Sequence, residues 1–264
     1  MLLNHVLRLA RLDITLLWRN RTAFFTAIAF PLILACVAIP LQGGFVAGVP
    51  SGLYTLTGML AFACFFVTFM HLTTLFTARR EELVLKRMRG SVLTEAAIFG
   101  GSGLASTAIY VLQAAGIVTL GIVTVNGHLP RNIPLFLLGV VLGSVMFVPL
   151  AAALSGVTKS GETAQITVLP AMLILIATSQ ANFPLDSMPD IVQRIASAMP
   201  LSPVVDVIRT AYFGLDFTQT APYPAVGFAE SWAAAGPRLL LIWGWTVVGV
   251  FLARKYFRWE PRHS

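Results

Sequence analysis

Long stretches without a charged residue divide this chain. Five of them contain no Asp, Glu, Lys or Arg, and they cover residues 22–78, 96–130, 132–158, 163–185 and 239–253. A helix crosses the ~30 Å hydrocarbon core of a bilayer with about 20 residues, so the first stretch is long enough for two helices joined by a turn. The pattern therefore predicts six membrane-spanning helices, near residues 23–41, 52–77, 103–125, 133–157, 163–182 and 237–254. Arg238 and Arg254, at the ends of the last span, are expected to extend their side chains towards the membrane surface.

An amphipathic pattern precedes the first span. Residues 1–21 place apolar side chains at helical spacing, with Arg8, Arg11 and Asp13 on the opposite face. This pattern predicts a helix that lies at the membrane surface. Anchoring in the membrane and contact with a cytoplasmic partner are both open as its role.

The connection before the last span is too long to be a simple link between two helices. It carries two short helical patterns, the first beginning near Pro189 and the second capped by Ser202, with Pro200 between them. Neither pattern is long enough to cross a bilayer. We therefore predict a re-entrant helical hairpin over residues 184–214 on the outer side, with an ordinary extracellular subdomain as the alternative.

Residues 79–95 concentrate eight charges between the second and third spans. Leu83, Leu85 and Met88 stay apolar within this segment, and Gly90 is a residue that commonly ends a helix. The segment predicts a short cytoplasmic helix that ends at Gly90. A solvated loop without a partner is the alternative.

Composition and charge agree with a membrane protein and give its orientation. Hydrophobic residues make up 57% of the chain and charged residues 11%, which excludes an ordinary water-soluble enzyme. Six spans put both termini and the loops at 78–96 and 158–162 on one side, which then holds fourteen of the eighteen basic residues. By the positive-inside rule the termini are cytoplasmic in a multi-pass protein of the plasma membrane. The net charge of +7 thus reflects topology and contact with anionic lipid headgroups, and no nucleic-acid partner is expected.

The sequence lacks the motifs that would let the chain power transport itself. The nearest approach to a phosphate-binding loop, Val157-Thr-Lys-Ser160, has no glycine before the lysine. Cys36 and Cys64 have no ligand partners at suitable spacing, and His71 is the one titratable side chain well inside a span. We expect no metal site, no catalytic group and no cofactor bound by this chain. If it moves a solute, the energy has to come from a partner.

Small residues recur on two of the predicted spans. Gly139 and Gly143 form a GxxxG pair, and Gly100, Gly101 and Gly103 cluster at the start of the third span. Such faces let helices approach closely. Whether the contact is internal or between subunits is open.

Two segments resemble those of the ABC-2 class of ATP-binding-cassette permeases, typified by the daunorubicin-resistance-type exporter subunits. The loop Glu81-Glu-Leu-Val-Leu-Lys-Arg-Met-Arg89 is similar to the family's Glu-Arg-Gly-Thr-Leu-Lys-Arg-Leu-Arg. The outer segment 183–209, with Met199-Pro-Leu201 and a helix ending in an acidic residue and an arginine, is similar to the family's outer stretch. Leu83 stands where the family often has Gly, and Val92 where it often has Pro, which leaves a longer coupling helix or a different exit angle open.

The resemblance implies a single ABC-2 transmembrane domain over residues 1–264, working as a dimer with a second copy or a paralogue. It implies a separate cytoplasmic ATPase that binds ATP and Mg and contacts residues 79–95 and the N-terminal helix. The residues it assigns to ATPase coupling are Arg79, Arg80, Glu81, Leu85, Lys86, Arg87, Met88 and Arg89. Those it assigns to an outer gate in the hairpin are Pro189, Pro200, Leu201, Asp206 and Arg209.

Because the spans offer no fixed charge, a substrate path through them is expected to be apolar and to suit a drug, natural product or lipid. Phe24, Phe62, Phe66 and Phe69 are the candidate lining. The resemblance makes the chain the permease subunit of an exporter. A secondary transporter, an integral membrane enzyme and a membrane scaffold that recruits a cytoplasmic protein are the alternatives.

Overall fold

The computed structural model describes residues 2–41, 43–179, 181, 189–219 and 221–260. These residues are predominantly helical, and two short strands form the one sheet among them. The helices are α1 (Leu2–Arg19), α2 (Arg21–Leu41), α3 (Ser51–Glu81), α4 (Val84–Arg89), α5 (Glu95–Thr124), α6 (Ile133–Val157), α7 (Gly161–Ala177), α8 (Asp190–Ala198), α9 (Leu201–Phe213) and α10 (Phe228–Tyr256). The strands β1 (Phe45–Val46) and β2 (Val49–Pro50) form an antiparallel hairpin between α2 and α3, which the sequence pattern did not predict.

Five of the helices are long and apolar enough to cross a membrane, namely α2, α3, α5, α6 and α10. The pair α8 and α9 is bent by 86° and raises the number of candidate spans to six if it is counted as one. The predicted all-α membrane fold is therefore confirmed. Span two extends beyond the prediction to Glu81, because Arg79, Arg80 and Glu81 continue the helix. Spans three and six begin earlier than predicted, at Glu95 and Phe228.

Helix α7 overlaps the predicted fifth span but is not among the helices long and apolar enough to cross a membrane. It has 17 residues, and its apolar stretch runs from Ile166 to Leu175. At 1.5 Å per residue, 17 residues give roughly 26 Å, slightly less than the hydrocarbon core. Residues 180 and 182 of the predicted span lie outside the described residues.

Side-chain caps explain where three helices begin. The carboxamide oxygen of Asn20 accepts from the amide of Ala23 at the start of α2, and that of Asn132 accepts from the amide of Leu135 in α6. The hydroxyl of Thr94 does the same for α5. Each cap satisfies a backbone donor that the first helical turn leaves without a partner.

The glycine-bearing faces of α5 and α6 pack against other helices of the same chain. A Cβ on Gly139 or Gly143 of α6 would lie 2.8 or 2.7 Å from a Cγ atom of Val207 or Val204 in α9. A Cβ on Gly101 of α5 would lie 2.5 Å from that of Leu9 in α1. The GxxxG pair therefore packs against the hairpin, and Gly100 and Gly101 pack against the N-terminal helix, while Gly103 faces Val148 of α6.

Candidate functional site

Helices α1 and α4 and residues 257–260 lie at one end of the helical bundle, which we call the basic end. The C-terminal turn of α3 lies between them. Arg79, in the last turn of α3, is 7% exposed and forms a buried ion pair with Asp13 of α1. Its Nη1 also donates to Ser102 Oγ of α5 at 3.1 Å, and Ser102 donates to Asp13 Oδ2 at 2.6 Å. This triad joins three helices, and each charge in it has a partner, as burial requires.

The next residue, Arg80, caps a different helix. Its guanidinium is 1% exposed and donates to the carbonyl oxygens of Ser155 and Thr158, each at 2.6 Å. These carbonyls lie at the end of α6, where a helix leaves acceptors without intrahelical partners and where its dipole favours a positive charge. Arg80 therefore fixes the end of α6 to the end of α3.

Glu81 completes the junction. Its Oε2 accepts from the backbone amide of Gly161 at 2.7 Å, at the first residue of α7. A carboxylate at a helix N-terminus satisfies a free amide and complements the dipole. Arg79, Arg80 and Glu81 thus connect α3 to α1 and α5, to α6 and to α7, and we call this three-residue set the junction.

After the junction the chain turns sharply into α4. Leu83 adopts a left-handed conformation with φ 58°, and its amide donates to Arg80 O at 3.1 Å. Helix α4 has six residues and ends at Arg89 with Gly90 as its cap, so the predicted end is correct and the possible longer helix is not formed. The side chain of Leu85 is fully buried and that of Met88 half-buried.

The basic residues of α4 point outwards, and two of them, Lys86 and Arg89, contact the C-terminal segment 257–260. Lys86 forms an ion pair with Glu260 at 2.8 Å. Arg89 lies over the Trp259 ring at 5.0 Å and pairs with Glu95 at 3.4 Å. Arg87 is exposed, and its guanidinium donates to a backbone carbonyl of the preceding turn.

The eight predicted coupling residues therefore fall into two groups. Arg79, Arg80 and Leu85 are buried inside the chain, which corrects their expected placement on a surface. Glu81 is exposed but caps α7, whereas Lys86, Arg87 and Arg89 lie at the surface with part of Met88.

Sequence reasoning missed Asp13 and Ser102 as the partners of Arg79. The signal was present in Asp13, the one acidic residue of the basic segment 1–21.

At the other end of the bundle, which we call the hairpin end, α8 and α9 meet around buried charges. Asp206 is fully buried and pairs with Arg238 Nε of α10 at 2.9 Å. Arg238 also donates to Ser197 O at 3.3 Å, so its guanidinium is bound by both helices of the hairpin, and its expected extension towards the membrane surface stays a prediction. The ion pair holds the hairpin against α10.

Arg209 holds the hairpin against α3. It is fully buried, and its Nη2 donates to the carbonyls of Tyr54 and Ala181 at 2.9 and 3.0 Å. Its Nε donates to Thr57 Oγ1 at 3.1 Å, and its guanidinium lies 3.6 Å from the centre of the Tyr54 ring. The planar, five-donor shape of arginine suits this set of acceptors, which a lysine cannot match.

The remaining hairpin residues shape the two helices. Pro189 directly precedes α8, and Pro200 and Leu201, both buried, mark the bend. Ser202 does not cap α9 as predicted, because the helix begins at Leu201 and the Ser202 hydroxyl donates to Ala196 O at 2.6 Å. Residues 184–188 of the predicted hairpin lie outside the described residues.

The four candidate path residues lie between helices. Phe62, Phe66 and Phe69 of α3 are 8%, 8% and 6% exposed, and Phe24 of α2 is half-buried. Phe69 contacts Phe147 of α6 with ring centroids 5.6 Å apart. A path along these rings therefore requires helices to separate from this arrangement.

Comparison with known families gives one match. The family described as ABC-2 family transporter protein matches residues 46–255, which leaves α1 and α2 outside the matched range. A comparison with curated proteins finds no match. Among the described residues, no group of three His, Cys, Asp or Glu side chains lies in position to hold a metal ion. The resemblance to ABC-2 permeases is confirmed, while the daunorubicin-resistance type stays a prediction. The chain belongs to the ABC-2 transporter family and is a multi-pass membrane permease of an ABC transporter.

Proposed function

We propose that the chain is the permease subunit of an exporter in the plasma membrane and pairs with a second copy or a paralogue. A separate cytoplasmic ATPase, which binds ATP and Mg, supplies the energy. The cargo is a hydrophobic or amphiphilic compound such as a drug, natural product or lipid. The chain has no catalytic role of its own.

The orientation is supported by where the basic residues meet. The positive-inside count puts fourteen basic residues with the two termini. In the folded chain α1, α4 and residues 257–260 gather at the same end, joined by the Asp13–Arg79 and Lys86–Glu260 ion pairs. Sequence topology and folded geometry thus favour the same cytoplasmic side for both termini.

The junction is the single observation that carries the coupling role. A force on α4 reaches α3 directly through the turn at Leu83, and Leu85 fixes α4 to the chain by its buried side chain. From α3 the force passes to α1, α6 and α7, because Arg79, Arg80 and Glu81 each hydrogen-bond one of them. Packed, hydrogen-bonded elements move as units. The junction suits a role in passing motion from an ATPase to the spans.

The proposed ATPase-facing surface consists of Lys86, Arg87 and Arg89 together with two exposed apolar side chains. Leu83 is 44% exposed and Val92 84% exposed. These two replace Leu85 as the apolar residues that a groove on the ATPase accommodates. A basic rim around apolar anchors is typical of a transient protein interface.

The proposal that a partner supplies the energy is supported by the pairing of the buried charges. Asp206 pairs with Arg238, and Arg209 is surrounded by carbonyl acceptors. Such groups serve structure, whereas a proton-driven or sodium-driven carrier needs a group that changes its charge or partner during transport. The described part of the chain therefore favours energy from a partner.

The test is co-purification of the full chain with candidate ATPase subunits, followed by ATPase assays of the reconstituted complex. We expect the double variant Arg87→Glu, Arg89→Glu to lower the yield of complex about tenfold, because it reverses two surface charges of the proposed interface. The control Arg254→Glu, Lys255→Glu makes the same charge change on exposed residues of α10. Equal losses in both variants would indicate general surface electrostatics, and no ATPase binding to the unmodified chain would overturn the proposal.

A further inference from the structure

Two π-helical segments face each other in the first two spans. They are Phe25–Ala29 in α2 and Phe65–Met70 in α3. The Phe30 and Phe66 rings, at or beside these segments, have centroids 5.2 Å apart. Wide turns of this kind are rare and are often found at functional sites.

Helix α5 supplies hydrogen bonds that support both wide turns. Gln113 Nε2 donates to the carbonyls of Ala27 and Ile28, at 2.9 and 3.2 Å, within the first segment. Tyr110, three residues earlier on the same face of α5, donates its hydroxyl to Leu60 O at 2.9 Å, just before the second segment. A membrane interior offers no water to such carbonyls, so side-chain donors have to satisfy them. The paired widenings are therefore built features of the fold.

A cleft of about 110 Å³ lies between α2 and α3 at these segments. Its polar lining includes Thr26, Thr74 and His71, and its apolar lining includes Phe66 and Met70. The two threonine hydroxyls donate to carbonyls of their own helices, which leaves their oxygen lone pairs available as acceptors. Within the described part of the chain the His71 ring makes no hydrogen bond, and none of the described lining residues is charged.

We propose that this cleft binds the uncharged, hydrogen-bonding end of an amphiphile, a hydroxyl or amide group, while the apolar part of the ligand lies against Phe66 and Met70. His71 and the two threonines are the recognising groups, because an unpaired imidazole gains most from a ligand that supplies its partner. The absence of a charge from the described lining disfavours phosphate, sulfate and ammonium ends. This inference rests on the proposed function, since it names the class of compound transported.

The test uses an octyl glucoside that carries a diazirine in its alkyl chain, as a photolabel for the permease in lipid nanodiscs without ATP. We expect labels on α2 and α3 near the π segments, mapped by mass spectrometry. Excess unlabelled octyl glucoside is expected to compete, whereas octyl sulfate, with the same chain and a fixed charge, is not. Equal competition by both would overturn the assignment of an uncharged ligand.

Variants locate the site. We expect His71→Phe and the isosteric double variant Thr26→Val, Thr74→Val each to lower labelling at least fivefold. The control Thr119→Val, on an exposed turn of α5 with a similar backbone-bonded hydroxyl, is expected to label like the unmodified chain. Undiminished labelling in the double variant, with thermal unfolding that shows it to be folded, would overturn the proposal whatever the fate of the histidine variant.

Photolabelling needs neither nucleotide nor ATPase, so its outcome is separate from that of the proposed function. A chain that binds the glucoside in the cleft but recruits no ATPase keeps this site and loses the exporter role. A chain that recruits the ATPase but shows no His71-dependent labelling keeps the exporter role and loses this site.

Discussion

The two ends of the bundle use buried arginines in different ways. At the basic end, Arg79 forms an ion pair with Asp13 of α1, and Arg80 donates hydrogen bonds to the last carbonyls of α6. At the hairpin end, Arg209 lies fully inside the chain, between three acceptors and an aromatic ring. The arginines of the basic end thus join the ends of separate helices, whereas Arg209 at the hairpin end is enclosed by acceptors and a ring within the bundle. The same residue type can therefore join the ends of neighbouring helices or hold a hairpin inside the bundle.

The largest expected effect is at the hairpin end. Arg209→Met removes the hydrogen bonds to Tyr54, Thr57 and Ala181 and the stacking on Tyr54, and leaves buried carbonyls without donors, so we expect a loss of about 3 kcal/mol or more in unfolding free energy. The measurement is SDS-titrated unfolding of the purified chain. Arg194→Met, an exposed arginine on α8, is the control and should change stability little. Similar losses in both variants would contradict the enclosed role of Arg209.

A smaller effect is expected at the basic end. Asp13→Asn and Arg79→Met should each lower the unfolding free energy by about 2 kcal/mol, because each leaves a buried partner uncompensated. The double variant should lose less than the sum of the two, by about 1 to 2 kcal/mol, as for groups in direct contact. Arg11→Met, exposed on the same helix, is the control. Strict additivity in the double variant would show that the pair does not hold α1 to α3.

Much of the fold could be predicted because hydrophobic length alone determines where helices cross a bilayer. The end of α4 at Gly90 and the two hairpin helices also followed from local signals. Local signals did not predict whether an arginine side chain faces the interior or the surface. Arg79 and Arg87 share one charged segment, but Arg79 faces inwards because it bonds Asp13, 66 residues away, and Ser102 of α5. The π segments were also missed, because the carbonyls of the first are satisfied by Gln113 from a different helix, 85 or more residues away.

The turns that follow α3 and α9 differ between the two ends as well. Both turns place a residue in the left-handed region, Gly214 after α9 with φ 66° and Leu83 after α3 with φ 58°. The hairpin end uses glycine, which adopts this conformation freely, whereas the basic end uses leucine, for which it costs about 1 to 2 kcal/mol. Gly214→Ala should therefore lower the unfolding free energy by about 1 kcal/mol or more. A Cβ there would also meet Arg131 Cδ at 2.8 Å.

The smallest expected effect has the opposite sign. Leu83→Gly should raise the unfolding free energy by about 0.5 to 1 kcal/mol, because relief of the left-handed strain exceeds the larger entropy that glycine has in the unfolded chain. Leu83→Ala is the matched control, since it shortens the exposed side chain but keeps a Cβ in the strained conformation. Equal stabilisation by alanine and glycine would show that the gain comes from removing an exposed apolar group. If glycine alone stabilises the chain and ATPase binding falls in both variants, then Leu83 is retained for the partner that it contacts, at the cost of a strained turn.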